Sequence, residues 1–284
     1  MSDSGRAPAI TLVLGSIVSV QVGNAVAKTL FDEAGPVGIV LLRVVFAAIV
    51  LVAIWRPAIR DLRGMPAREV VLFGVALAGM NASIYLALDR IPLGIAVTLE
   101  FVGPLGVAFV ASRHRLDVLW AALAAIGIVL LSPVPGSDLD VLGCALALLA
   151  GAFWAAYIVL SARVGRSFAG GQGLAMAMVV AGALLLAPGI ADGGADLLDP
   201  ALLAIAFAVA MLSSAIPYSL ELEALRRLPQ GTFGVLMSLE PAVAAVIGYL
   251  ILDQGLAARE VAAIAFVVVA SAGALRTAPP PAEA

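Results

Sequence analysis

Long apolar runs dominate this chain, and they limit what it can fold into more than any other feature. Each run is about 20 residues long, the length that an α-helix needs to cross the hydrocarbon core of a bilayer. Only 12% of the residues are charged, roughly half the share of a soluble domain, and the mean hydropathy is +1.11. Lipid offers no partner to exposed backbone groups, so spanning segments of this length must be helical. The pattern predicts an all-α integral membrane protein.

Ten such spans can be placed along the chain, and their connections are too short to hold a sizeable soluble domain. A proline- and glycine-rich break at residues 132–138 separates five spans from five. An odd number of spans per half makes the second half enter the membrane from the opposite side, so we expect two inverted five-helix repeats. We place the repeats at 1–135 and 136–277, followed by a disordered cytoplasmic tail at 278–284. The predicted spans are residues 9–30, 36–55, 69–89, 93–112, 116–132, 141–162, 171–190, 202–222, 231–252 and 258–276.

Arginine and lysine are unevenly distributed between alternate connections. With the N-terminus inside, the inner connections collect twelve of these residues, and the outer ones hold only Lys28, Arg90 and Arg259. Loops rich in Lys and Arg stay on the cytoplasmic side of a membrane. The bias predicts that both termini are cytoplasmic.

Two stretches in corresponding positions of the halves share a pattern of prolines, glycine and a carboxylate. Residues 91–104 contain Glu100, and residues 228–241 contain Glu240. Each stretch has a proline, a glycine two residues later and a second proline twelve residues after the first. At a rise of about 1.5 Å per residue, both carboxylates fall near the membrane midplane, where alternating-access carriers bind their substrates. A charge at that depth is costly and indicates a functional site.

Polar side chains fall on single faces of four other spans. Each stripe alone has a structural explanation, because aromatic residues form interfacial belts and small polar residues join helices. Several stripes in one bundle favour a shared aqueous cavity, since every buried polar group needs a partner or water. The residues are Gln21, Asn24 and Lys28 in the first span, Asn81 and Tyr85 in the third, Trp154, Tyr157 and Ser161 in the sixth, and Ser214, Tyr218 and Glu221 in the eighth.

Arg43 lies several residues inside the second span. It either snorkels to the outer interface or serves as counter-ion to a carboxylate of the protein or of the substrate. Pro104 and Pro241 are predicted to lie inside their helices, where each removes a backbone hydrogen bond and can form a kink. Gly103 next to Pro104 permits bending and close helix approach. We expect these three residues to form hinges, with static kinks as the alternative.

The sequence gives little support to enzyme or channel chemistry. Cys144 is the single cysteine and His114 the single histidine, so neither a metal site nor a nucleophile–base set is predicted within the spans. No nucleotide-binding loop of Walker type is present, so direct drive by ATP is not expected. A channel would need a repeated selectivity motif, usually in a symmetric oligomer. We expect no cofactor, no metal and no nucleic-acid partner.

Four stretches, taken in order along the chain, resemble the EamA-type branch of the drug/metabolite transporter superfamily, and within it the exporters of small amino acids such as threonine and homoserine. These stretches are residues 91–105, 143–148, 217–221 and 232–242. The resemblance implies a non-enzymatic secondary transporter in the bacterial inner membrane, driven by the proton gradient or by exchange. The alternative is a broad-specificity exporter of drugs or metabolites with the same fold. Many members of the superfamily have Gly-Glu after the ninth span, where this chain has Asp253-Gln254, so the outer end of that helix is expected to differ.

The main hypothesis assigns roles to these residues. Glu100 and Glu240 would bind the substrate ammonium or a coupling proton, because burial favours the neutral form of a carboxyl group. Arg43 or Lys28 would meet the substrate carboxylate. The side chains that would shape and gate the cavity are Tyr85, Trp154, Tyr157 and Tyr218. The expected partners are a small-molecule substrate, protons and the lipid bilayer, for a protein that is a monomer or a homodimer.

Overall fold

The structure, a computed structural model, describes residues 6–57, 65–111, 116–131, 139–168, 170–225, 233 and 236–277. Within these ranges the chain is almost entirely helical and contains no β-strand. The predicted all-α fold is therefore confirmed for this part of the chain.

We number the helices α1 to α13 in chain order. The first seven are α1 (Arg6–Lys28), α2 (Phe31–Ala34), α3 (Pro36–Trp55), α4 (Met65–Arg90), α5 (Leu93–Glu100), α6 (Val102–Ala111) and α7 (Asp117–Leu131). The others are α8 (Val141–Ser167), α9 (Gln172–Gly193), α10 (Pro200–Ala210), α11 (Ile216–Leu225), α12 (Glu240–Leu252) and α13 (Ala258–Thr277). A 3₁₀ turn, Gly194–Leu198, follows α9, and a π-helical segment, Met211–Ala215, joins α10 to α11.

Five helical stretches in the described ranges are long and apolar enough to cross a membrane, judged by length and composition. They are Ile10–Lys28, Pro36–Trp55, Ala67–Arg90, Val141–Ser167 and Gln172–Leu198, and shorter apolar helices cover Leu93–Val107, Pro200–Ala215 and Glu240–Leu252. The outer surface carries large exposed apolar side chains, including Val129 at 69% and Leu250 at 66% of full exposure. Contiguous apolar surface of this kind is suited to lipid rather than water. The chain is a multi-pass membrane protein.

The helices cross closely where glycines remove side chains from the contact. α6 packs against α8, and a Cβ added to Gly103 would lie 1.8 Å from the carbonyl oxygen of Gly151. A Cβ added to Gly151 would lie 2.5 Å from the carbonyl oxygen of Glu100. Both positions therefore require glycine, and their crossing fixes the backbone of Glu100 against α8.

Pro104 and Pro241 lie inside helices, as predicted, but they lie at the starts of those helices and not in the middle. The helix is interrupted at Phe101, and Pro104 lies in the first turn of α6. Turns likewise precede α12, in which Glu240 is the first residue and Pro241 the second. The physical reason is that the first turn of a helix has no internal acceptor for its N–H groups, so proline is tolerated there. Both carboxylates consequently lie at helix ends beside an interruption.

Candidate functional site

A cavity of about 480 Å³ lies between most of the helices. Its volume is within the range of small-molecule binding sites, about 300–1,000 Å³. It is bordered by α1, α3, α4, α5, α6, α8, the π-helical segment, α11, α12 and α13. Ten of the residues singled out from the sequence line it, namely Gln21, Asn24, Arg43, Asn81, Glu100, Pro104, Trp154, Tyr157, Glu221 and Glu240.

Arg43 is held inside the bundle and does not snorkel to an interface. Its side chain is 8% exposed. Nη1 donates to Oδ1 of Asn24 at 3.3 Å and to the hydroxyl of Tyr85 at 3.0 Å, and Nη2 donates to the carbonyl oxygen of Ser213 at 3.2 Å. The guanidinium carbon lies 5.2 Å from the centre of the Tyr85 ring. Three helices and the π-helical segment thus fix one orientation of the guanidinium group.

The local sequence explains why the carbonyl of Ser213 is available to Arg43. Four residues later comes Pro217, which has no backbone N–H to donate to that carbonyl. The segment around Ser213 is π-helical, and π-turns of this kind are frequent at functional sites. The neighbouring carbonyl of Leu212 accepts a hydrogen bond from the hydroxyl of Ser19 at 2.6 Å. Side chains of α1 and α3 therefore replace backbone donors along this segment.

Three carboxylates line the cavity together with one guanidinium group. Oε1 of Glu240 accepts from Nε2 of Gln21 at 3.4 Å, and Oε1 of Glu221 accepts from the hydroxyl of Ser16 at 2.6 Å. Glu100 is 9% exposed and Glu240 is 6% exposed. No ion pair joins Arg43 to a carboxylate in the part of the chain that the structure describes. Among the same residues, no group of three or more His, Cys, Asp or Glu side chains is arranged to hold a metal ion.

Unpaired polar atoms are concentrated at this cavity. Five buried side-chain nitrogen or oxygen atoms in the described ranges have no hydrogen-bond partner, and four of them belong to residues that line the cavity. These four are Nε of Arg43, Oε1 of Gln21, Oε2 of Glu240 and Oγ of Ser271. An unpaired buried polar group costs about 1–3 kcal/mol, so such groups are rare unless another molecule pairs with them. One donor, two acceptors and one hydroxyl group, which can do both, make this cavity the candidate binding site.

The aromatic side chains form part of the wall. Trp154 meets the ring of Phe101 edge to face, with centroids 5.5 Å apart. Tyr157 packs against Phe73 at 5.2 Å and also borders a second cavity of about 100 Å³ between α4, α8 and α9. Tyr157 consequently lies between the large cavity and the small one.

Six of the singled-out residues lie away from the wall of the large cavity, and one of them, Ser161, borders the second cavity. Tyr85 is fully buried and reaches the site only through Arg43. Ser214 is buried, and its neighbour Ser213 lines the cavity instead. Lys28 donates to the carbonyl oxygens of Leu88 and Ile91. Gly103 and Pro241 are also outside the lining. The side chain of Tyr218 lies outside the described residues.

Several lining residues were not singled out from the sequence. The proline at position 217 is the signal that could have identified Ser213, since it removes the donor four residues after that carbonyl. The one sequence signal that could have identified Ser271 is that it is a polar residue within the apolar helix α13. The apolar lining has no signal that separates it from helix packing, and its larger members are Met80, Ile84, Phe101, Leu105, Phe233 and Met237.

A second polar cluster, which we call the α4–α5 junction, covers residues 88–93. Lys28 donates to the carbonyls of Leu88 and Ile91, the latter at 3.2 Å, and so neutralises the carboxyl end of α4. Arg90 forms an ion pair with Asp140 at 3.0 Å. This hydrogen bond from Arg90, with a second from the backbone N–H of Leu142, holds the pKa of Asp140 below its usual range.

The same junction is held from the other half of the chain. The backbone N–H of Leu93 donates to Oε1 of Gln254 at 2.8 Å, so the second residue after α12 caps the start of α5. Asp253 precedes it in the left-handed conformation, with φ of 52°. The departure from Gly-Glu noted in the sequence therefore coincides with a side-chain cap between two helices.

Known proteins with similar sequences are transporters. Residues 141–276 match the EamA-like transporter family. The chain is 40% identical over 271 residues to the threonine/homoserine exporter RhtA of Escherichia coli, covering 94% of this chain and 91% of that protein. It is 39% identical, with the same coverage, to the threonine/homoserine exporter RhtA of Salmonella typhimurium. One solved crystal structure matches with a TM-score of 0.65 and 18% identity, covering 97% of this chain and 98% of its own, which shows likeness of fold alone.

Proposed function

Because the chain belongs to the EamA-like transporter family, we propose that it is a secondary active transporter that exports small amino acids, such as threonine and homoserine, across the bacterial inner membrane. The relatives named above are exporters of threonine and homoserine. The single observation that carries the proposal here is the set of unpaired polar atoms in one cavity.

These atoms are complementary to a zwitterion. Arg43 offers a guanidinium nitrogen without a partner, and guanidinium groups bind carboxylates with well-defined geometry. Gln21 and Glu240 are joined by a hydrogen bond, and each keeps one oxygen without a partner. Two adjacent acceptors, one on a carboxylate, suit an ammonium group. An amino acid would satisfy all three residues at once, with its carboxylate on Arg43 and its ammonium on the Gln21–Glu240 pair.

The excess of carboxylates supports coupling to protons. Glu100, Glu221 and Glu240 face Arg43 as the one cationic side chain among the described lining residues, so full ionisation would leave two uncompensated negative charges. Low dielectric makes such charge costly, and binding protons removes it. A substrate ammonium would compete with a proton for the same oxygens. Competition of this kind is what proton antiport requires, so we assign Glu240 and Glu100 to proton and substrate exchange.

The helix packing supports two inverted five-helix repeats, at residues 1–135 and 136–277. Exchanging the halves would interchange the observed helix pairs. α4 packs on α8. In the exchange α4 corresponds to the stretch from α10 to α11 and α8 corresponds to α1, and these counterparts also pack on each other. The pairs α3–α9, α5–α12 and α7–α13 are their own counterparts under this exchange. In this scheme two of the spans are interrupted. One consists of α5 and α6, and the other consists of α10, the π-helical segment and α11. The scheme gives ten spans in all.

The positions of the cavity and of the α4–α5 junction support alternating access. With both termini in the cytoplasm, the junction is at the outer end of the bundle. The cavity includes Val107, which lies roughly 21 Å along the helix axis from Leu93, and Glu221 near the end of α11. The cavity therefore extends towards the inner side while the junction seals the outer side. We propose that this arrangement is the inward-facing state, and that export requires the contacts of the α4–α5 junction to open.

The test is transport by the purified protein in proteoliposomes. We expect uptake of labelled threonine when a pH gradient is imposed, and loss of that uptake when a protonophore collapses the gradient. Homoserine should compete. Lack of threonine transport under either condition would contradict the proposal.

A broad-specificity exporter is the second candidate, because one part of the wall is aromatic and sulfur-rich, with Phe101, Trp154, Met80 and Met237. Walls of this kind adapt to varied apolar ligands. Competition by lipophilic cations at concentrations where homoserine has no effect would favour this candidate over the amino-acid exporter.

A further inference from the structure

We propose that Ser271 recognises the hydroxyl group of the substrate side chain, so that the cavity favours hydroxylated amino acids over analogues that lack the hydroxyl. The inference rests on the proposed function and adds a residue that determines specificity.

Ser271 has an unused hydroxyl group in the cavity wall. It lies on α13, is 1% exposed and lines the cavity, and its Oγ has no hydrogen-bond partner. Hydroxyl groups on helices usually bond to a carbonyl of the preceding turn. Thr98 does so with Gly94 at 2.6 Å, and Ser213 with Val209 at 2.6 Å. Ser271 forgoes this local bond, so its hydroxyl group has no partner within the protein at a residue that lines the cavity.

Ser271 lies on a different helix from each of the groups assigned to the amino-acid head. Arg43 is on α3 and Gln21 is on α1, whereas α13 packs mainly on α5, α6, α7 and α12. A substrate whose carboxylate and ammonium groups are held by α3, α1 and the start of α12 would therefore direct its side chain towards α13. The part of the substrate that reaches Ser271 is then the side chain, and not the head group.

The chemistry of a serine hydroxyl fits another hydroxyl group. Oγ can donate one hydrogen bond and accept others, so it pairs with a group that does the same. Sites built to bond a substrate hydroxyl reject the analogue without it, because the protein group is left buried and unpaired. Threonine and homoserine each carry one side-chain hydroxyl, and 2-aminobutyrate is the deoxy analogue of both. The cavity should distinguish them at Ser271.

The experiment compares Ser271→Ala with the unaltered protein in proteoliposomes. Labelled threonine, homoserine and 2-aminobutyrate are transported by the same vesicles, so the ratio of rates is independent of protein abundance. We expect Ser271→Ala to lower threonine and homoserine transport relative to 2-aminobutyrate by about 3- to 10-fold, the effect of one hydrogen bond. Ser271→Cys, which keeps nearly the same size but bonds weakly, should lower the ratio by a smaller factor.

The matched control is Ser83→Ala, because Ser83 is also buried, at 5% exposure, and does not line the cavity. It should leave the ratio unchanged. An unchanged ratio in Ser271→Ala and Ser271→Cys would overturn the role of Ser271 and leave amino-acid export standing. An unaltered protein that transports none of the three compounds would instead overturn the proposed function, and the inference with it.

Discussion

The cavity and the α4–α5 junction both place polar groups inside an apolar bundle, yet they treat those groups in opposite ways. At the junction, Lys28, Arg90 and Gln254 each have a partner within the protein. At the cavity, Arg43 and Glu240 each keep an unpaired atom. Paired groups contribute to the folded structure, whereas unpaired groups lower stability until a ligand arrives. The contrast separates residues that hold the bundle together from the residues proposed to bind the substrate.

Lys28 and Arg43 make the contrast concrete. Both are cations in or beside an apolar span, and either was a candidate for the substrate carboxylate. Lys28 is the last residue of α1 and donates to the carbonyls of Leu88 and Ile91 at the end of α4. Arg43 is well inside α3 and donates to Asn24, Tyr85 and Ser213, so that its Nε is left without a partner. The role of a membrane-embedded cation depends on which neighbouring groups already satisfy it.

The largest expected effect comes from Glu240→Gln. The amide can still pair with Gln21, so folding should be preserved, while the site loses a charge that binds ammonium or a proton. Charge-assisted hydrogen bonds contribute about 1.5–3 kcal/mol, so we expect threonine transport to fall about 10- to 100-fold. Proteoliposome transport and thermal unfolding in detergent measure the two effects. Glu33→Gln, at an exposed carboxylate on α2, is the matched control and should change neither. Normal pH-driven transport by Glu240→Gln would break the distinction between the two regions.

Arg43→Lys is expected to have the next largest effect. Lysine keeps the charge but loses the planar group that bonds Asn24, Tyr85 and Ser213 together. We expect threonine transport to fall roughly 10-fold, mainly through weaker binding of the substrate carboxylate. Arg163→Lys, at an exposed arginine on α8, serves as the control. Equal transport by both variants would show that only the charge of Arg43 matters.

Hydropathy was sufficient to predict the all-α fold and many helix ends, because lipid sets the length of an apolar span and polar caps mark its ends. The second predicted span, 36–55, matches α3, and α8 begins at Val141 after its cap Asp140. Pro104 predicted a disturbance of its helix, and the helix is interrupted at Phe101. The crossing between Gly103 and Gly151 was not predicted, because the two glycines are far apart in sequence. Sequence spacing identifies which polar residues share a helix face, but it does not say which of them find partners on other helices.

Gln254→Leu probes the junction and should act on stability alone. The substitution removes the acceptor for the backbone N–H of Leu93 at the start of α5. One such hydrogen bond contributes about 1 kcal/mol, so the unfolding temperature in detergent should fall while the ratio of threonine to 2-aminobutyrate transport stays constant. Gln254→Glu retains an acceptor oxygen and should be close to the unaltered protein. A changed substrate ratio in Gln254→Leu would extend the binding site to the junction.

The smallest expected effect is a dependence of stability on pH at the Arg90–Asp140 pair. Because the pKa of Asp140 is lower in the folded protein than in the unfolded chain, its contribution is fully present above the unfolded value, about 3.9, and is lost as the pH falls through the folded value. Asp140→Asn keeps an N-cap side chain for α8 but removes the charge, so it isolates this contribution. The difference in unfolding temperature between Asp140→Asn and the unaltered protein should be constant from pH 7 to about pH 5 and shrink below about pH 4. It should also shrink in high salt, since the pair is exposed. A difference that grows on acidification would contradict the lowered pKa of Asp140 and the stabilising role of its pairing with Arg90.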